Sequence, residues 1–158
     1  MRNVFSNQST ASSLIISKLY DQDSFYAAFE RDLGRVRRRA IIESPFLTMR
    51  RVNALAPQLH KLSRKGITVI VNTKPLDEHD AILREQAEQA IATLQDMGVR
   101  VLMTVGHHRK IAVLDDVLWE GSLNILSQND SCELMRRMRS PELSDQMLGF
   151  TGLNRWEK

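Results

Sequence analysis

The sequence predicts a mixed α/β fold, with a largely parallel central sheet and helices on both of its faces. Three observations carry this. Apolar residues switch between helical spacing and short β-branched runs, in the order helix, strand, helix, strand, helix, then several strands and a last helix. A chain of 158 residues suits one domain with one core. An apolar share of 42% and a charged share of 26% are ordinary for a globular protein.

The elements follow in order. Residues 1–12 are rich in Ser, Asn, Gln and Thr and read as a flexible arm, leaving 13–158 as a single domain. After Asp23 or Ser24 as N-cap, Phe25, Phe29, Leu33 and Val36 recur at helical spacing. "AIIESPF" (40–46) reads as a buried strand stopped by Pro45. Val52, Leu55, Leu59 and Leu62 mark a second helix over 50–65, which Pro57 either kinks or opens and Gly66 closes. "ITVIVNT" (67–73) is a β-branched strand. Leu83, Ala87, Ala90, Ile91, Leu94 and Met97 form one face of a third helix ended by Gly98. Strands are expected at 99–105, 110–116, 117–122 and 132–138, with a tight turn at Asp115-Asp116. Ser140 and Pro141 then start a final helix. The first three strands are expected to be parallel and the later ones mixed.

Several classes are excluded or disfavoured. No apolar run reaches 18 residues, so no membrane-spanning helix is expected. The "LII" near the N-terminus is too short for a secretory signal, and a cytoplasmic location is the default expectation. Cys132, the single cysteine, cannot form an internal disulfide and is expected to be a buried small hydrophobe. The net charge is only +3, but the arginines cluster: Arg35, Arg37, Arg38 and Arg39; Arg50 and Arg51; Arg136, Arg137 and Arg139. Such clusters favour polyanions such as nucleic acid, while "RVRRR" is equally read as cations complementing a helix C-terminus.

The segment "GHHRKIAVLDDVLWEGSLN" (106–124) carries the chemistry. His108 and Lys110, two apart on an extended chain, share a face. A hairpin through Asp115-Asp116 returns Gly121, Ser122 and Asn124 to their side. Imidazole, ammonium, hydroxyl and amide would then converge as a phosphate oxyanion requires, with the imidazole as nucleophile or acid/base. His107 points to the opposite face and reads as a bystander, a poor partner for a shared metal. No carboxylate pair or Cys/His cluster has ligand spacing, so neither metal nor cofactor is expected.

"HRKIAVLD" fits H-x-K-x4-D and "GSLN" fits G-S-x-N, and together they resemble the signature of the phospholipase D superfamily. The resemblance covers roughly residues 23–153 and is nearest to the small bacterial endonucleases that carry one motif per chain. One departure is a spacer of five residues between Asp115 and Gly121, where many members have six. The resemblance implies a phospholipase D-like half-unit. His108 would attack phosphorus and form a phosphohistidine; Lys110, Ser122 and Asn124 would hold the phosphate oxygens. Asp115 would orient or balance the cations, and Glu133 would fix the imidazole. Substrate contacts are expected from Arg50, Arg51, Arg109 and Arg136. Because the superfamily pairs two motifs across one site and His60 and His79 read as surface residues, the second motif is expected from a homodimer partner.

Two rival functions stand beside a metal-independent nuclease acting on DNA rather than RNA. A phospholipase or phosphatidyl transferase needs an apolar interfacial surface, which the sequence does not display. A non-cleaving DNA-binding module would act with a helicase or restriction-system partner. Phe46 is read as pocket mouth or core, Glu43 as the buried partner of an arginine or a strand-edge residue, and Trp119 as core.

Overall fold

The computed structural model describes residues 16–127 and 131–157; the expected arm at 1–12 lies outside them. The helices start where side-chain oxygens can cap them. The Thr48 hydroxyl accepts from the Arg51 N–H to open α2 (Met49–Arg64), and the Asp80 carboxylate accepts from the Leu83 N–H to open α3 (Ala81–Asp96). Ser140 caps α4 (Pro141–Thr151), with Pro141 in its first turn. Ser24 precedes α1 (Phe25–Leu33), but its hydroxyl is turned back to Asp21. Pro57 lies inside α2 rather than opening it.

Seven strands form one sheet: β1 (Ser17–Asp21), β2 (Arg39–Glu43), β3 (Thr68–Thr73), β4 (Arg100–Met103), β5 (Ile111–Leu114), β6 (Val117–Gly121) and β7 (Leu134–Arg139), in the order β1-β7-β6-β5-β2-β3-β4. As expected, β2, β3 and β4 are parallel. Every other pairing is antiparallel, which corrects the expectation of a largely parallel sheet. For β5 and β6 the reason is connection length. A parallel return needs a crossover of a dozen or more residues. Residues 104–110 supply seven between β4 and β5, and the Asp115-Asp116 turn only two between β5 and β6. β1 escapes the apolar pattern because it is an exposed edge strand with no apolar run.

Helices cover both faces, as expected. Against one face, α1, α2 and α3 contribute Phe25, Phe29, Leu55, Leu59 and Leu94 to one core cluster, in which Phe25 and Phe29 pack on Trp119, buried as anticipated. The other face meets α4, where Leu148 and Leu153 join Ile41, Ile70, Val113 and Leu118. Alternation along β2 and β5 assigns each residue to one of these layers and thereby aims the residues that follow them.

Candidate active site at one end of the sheet

The start of β5, the end of β6 and the start of β7 meet at one end of the sheet. This is also the end where the parallel strands β2 and β3 finish. The Gly121 N–H donates to the Lys110 carbonyl, and Gly121 pairs with Met135, so Lys110, Gly121 and Met135 stand side by side. One step further out, Ser122 is locked to Leu134 in both directions: its hydroxyl accepts from the Leu134 N–H, and its own N–H donates to the Leu134 carbonyl. Leu134 follows Glu133. A β-carbon on Gly121 would collide with the Leu134 carbonyl oxygen, so the glycine is what allows β6 and β7 to close at this level.

The turn after β6 is drawn across the ends of β2 and α2. Leu126 donates its N–H to the Ser44 hydroxyl and accepts from the Thr48 N–H, while the Arg51 guanidinium donates to the Ile125 carbonyl. Asn124 is thereby held beside α1, where the Tyr26 hydroxyl donates to its carbonyl. Its side-chain Oδ1 is buried without a hydrogen-bond partner among the described residues. The Lys110 ammonium donates to the His108 carbonyl at 2.7 Å, tying the two residues into one local turn. Burial holds Lys110 below its ordinary value of 10.5, and the nearby Glu133 carboxylate works against that. Burial likewise raises the Tyr26 phenol, which Arg51 lowers and Glu133 raises. His108, Lys110, Ser122, Asn124 and Glu133 therefore share this end of the sheet, with His108 exposed and Lys110 buried.

Other expected site residues lie elsewhere or are engaged. Asp115 sits at the far end of β5. Its carboxylate accepts from the N–H groups of Arg37, Arg38 and Arg39, so it anchors the entry to β2 and does not balance the site's cations. Its backbone adopts φ 53°, which closes the two-residue turn. Arg51 is buried, paired with Glu30 at 2.9 Å and stacked on Tyr26, so it positions the Asn124 turn rather than facing substrate. Arg109 grips Glu43 in a bidentate pair at 2.7 and 2.8 Å. Arg136 donates to Ser17 and lines, with Arg109 and Lys110, an open cavity of about 370 Å³. Arg50 is exposed in the first turn of α2, at this same end. Cys132 is exposed, correcting the expectation of burial. His60 is exposed as anticipated, but His79 is half-buried and packs edge-on against Phe46.

A polar cluster that the sequence only hinted at backs the site. Glu43 is 0% exposed, accepts from Arg109 and from the Asn72 amide, and Asn72 in turn accepts from Thr104. Glu43 is thus the buried arginine partner. His107 lies beside it, 5% exposed, with Nε2 buried and unpartnered among the described residues. Burial holds His107 below its ordinary value of 6.5; Glu43 pulls it up, and Arg109, Lys110 and His108 push it down. The folded state therefore binds this proton less readily than the unfolded chain. Stability from neutral His107 is present above about pH 6.5 and is lost as pH falls below it. His107→Gln should accordingly narrow its stability difference from the wild type between pH 7.5 and pH 5, measured by urea denaturation. A difference that widens with acid would refute this sign.

Among the described residues no group of three His, Cys, Asp or Glu side chains is arranged to hold a metal ion. No helix among them is long and apolar enough to cross a membrane.

The fold as a whole is phospholipase D-like. Nuc from Salmonella typhimurium, a phospholipase D family member, matches with a TM-score of 0.71 at 13% identity, over 90% of this chain and 94% of its own. NucT from Helicobacter pylori matches with a TM-score of 0.69 at 15% identity, over 86% and 92%. Phosphatidylserine synthase from Haemophilus influenzae Rd KW20 gives 0.67 at 14% identity, and this chain spans 36% of it. At these identities the likeness is one of fold. No family model matches the sequence, and neither does any curated protein.

Proposed function

We propose that the protein is a phosphodiesterase of the phospholipase D superfamily that cleaves nucleic acid, preferentially DNA, without a metal. The observation that carries this is the register that sets Lys110 beside Gly121-Ser122 and Glu133, at the end of the sheet where His108 emerges. In this reading the His108 imidazole attacks phosphorus. The N–P bond forms as the P–O bond to the leaving strand breaks. Lys110, with the Ser122 and Asn124 side chains, neutralises the charge on the non-bridging oxygens. Glu133 orients the imidazole and supports its positive charge. The leaving oxygen takes its proton from the His108 of a second copy, which then activates water; attack of that water breaks the N–P bond and restores the enzyme. One H-x-K per chain supports a homodimer with a shared site, and the near-complete coverage of the two small structures supports the single-motif reading.

A second reading has one observation in its favour. A groove of about 500 Å³ lined by Ile111, Leu118, Met138, Leu143, Met147 and Phe150 opens beside Arg109, and Phe150 is 82% exposed. This is an apolar surface that the sequence did not display, and it suits a phospholipid tail. One experiment separates the readings: purified protein with single- and double-stranded DNA, RNA and phosphatidylcholine vesicles, all in EDTA, beside His108→Ala. Nucleic-acid cleavage that persists in EDTA and vanishes in the variant is the expected result. Release of phosphatidic acid without nucleic-acid cleavage would establish the second reading instead.

A further inference from the structure

A separate concavity of about 900 Å³ opens at the opposite end of the sheet, between the α1–β2 loop, the end of α2 and the end of β7. Its walls carry Arg35, Arg37, Lys65 and Arg139 and no carboxylate. All four are exposed, and none makes an ion pair or side-chain hydrogen bond among the described residues. Neighbouring acids are already engaged. Asp115 caps the backbone of Arg37, Arg38 and Arg39, Asp116 pairs with Arg38, and Asp32 pairs with Arg137.

Helix dipoles account for only half of this charge. Arg35 and Lys65 follow the C-termini of α1 and α2, where cations are favoured. Arg139 precedes Ser140, the N-cap of α4, where a cation is disfavoured. Arg37 lies beyond the α1 cap on backbone pinned by Asp115. Four like charges carried by the α1–β2 loop, the end of α2 and the end of β7, without counter-ions of their own among the described residues, form a preorganised anion surface.

The shape selects a polymer of phosphates. Arg35 and Arg139 also wall a second concavity with Arg38 and Arg137, and Arg35 walls a third with Arg31 and Arg137; the carboxylates lining these two, Asp32, Asp115 and Asp116, are the ones already engaged by Arg137, by backbone N–H groups and by Arg38. A single phosphate would fill one of these; a chain of phosphates fits the run. None of the large exposed apolar residues lines the 900 Å³ concavity, so a membrane would find no apolar anchor there. The concavity and the His108 end lie at opposite ends of β7, whose six residues span roughly 20 Å at 3.3 Å per residue.

We propose that Arg35, Arg37, Lys65 and Arg139 form a second nucleic-acid-binding surface, which grips the phosphodiester backbone several nucleotides from the phosphate held at His108. The proposal rests on the nuclease reading for the identity of the polyanion, but not for its test. Binding is measured in the His108→Ala background, by fluorescence anisotropy of a labelled 24-nucleotide strand and a 24-base-pair duplex at 50–200 mM NaCl. Adding R35Q, R37Q, K65Q and R139Q should weaken duplex binding at least about tenfold at 100 mM NaCl. It should also reduce the slope of log K against log salt by about 3.6, at 0.9 per phosphate contact. Replacing the three arginines by lysine should restore most of the slope. With His108 intact, turnover of the small diester bis(4-nitrophenyl) phosphate should be unchanged by the four Gln substitutions. An unchanged slope for both oligonucleotides overturns the proposal. So does binding of anionic phosphatidylserine vesicles, but not of oligonucleotides, through the same four residues. If no diester is turned over while the slope falls as stated, the nuclease reading fails and the binding surface stands.

Discussion

Gly121→Ala should destabilise the protein by about 3 kcal/mol and lower its melting temperature by roughly 6–12 °C, while abolishing activity at the candidate site. The alanine methyl would press on the Leu134 carbonyl and on Met135, backbone groups that cannot swing aside as a flexible side chain would. Relief requires β6 and β7 to separate at their paired residues Gly121 and Met135, the step that also places Ser122 against Leu134. Gly149→Ala supplies the control. Nothing lies within 4 Å of its β-carbon, and it sits inside α4, so it should gain about 0.5–1 kcal/mol from the higher helix propensity of alanine. Differential scanning calorimetry of both variants checks the pair. Equal melting temperatures would refute the close-approach account of Gly121.

The second large effect concerns the number of chains in a site. If the proposed chemistry needs one His108 from each of two copies, wild type co-refolded with an equal amount of His108→Ala should retain about a quarter of the wild-type activity, because only wild-type pairs carry both imidazoles. Independent subunits would retain about half. The His108→Ala homodimer alone should fall by at least about a thousandfold, the scale expected when a positioned nucleophile or acid/base is removed. The quarter and the half are separable by initial rates on a labelled oligonucleotide. A value near one half would refute the shared site even if cleavage itself is confirmed.

Much of this architecture was legible locally. Ser140 marks a helix start because a cap acts on the N–H groups of the next few residues, well within the reach of a sequence window; Thr48 and Asp80 cap α2 and α3 in the same way, although no cap was expected there. The tight turn at Asp115-Asp116 and the helical and β-branched runs are legible for the same reason. So was the grouping of His108, Lys110, Ser122 and Asn124, since one hairpin of short span brings them together. Tyr26 and Arg51 were not legible as neighbours of Asn124. Their contacts bridge 98 and 74 residues, and no periodicity encodes such a distance.

The arginines divide in the same way. Sequence alone determined that they cluster and that an H-x-K and a G-S-x-N pattern fall at the two ends of one β-hairpin. It determined the alternation that sends His107 and His108 to opposite sides, whereas the close approach of Gly121 to Leu134 belongs to the β6–β7 pairing and was decided by the tertiary structure. Only the tertiary structure decided that the sheet is mostly antiparallel, since strand direction follows from which distant edges meet. Only the tertiary structure decided which arginines are consumed internally, Arg51 by Glu30, Arg109 by Glu43 and Arg137 by Asp32, and which remain unpaired. Charge is a property of each residue, but its availability depends on counter-ions brought in from far along the chain.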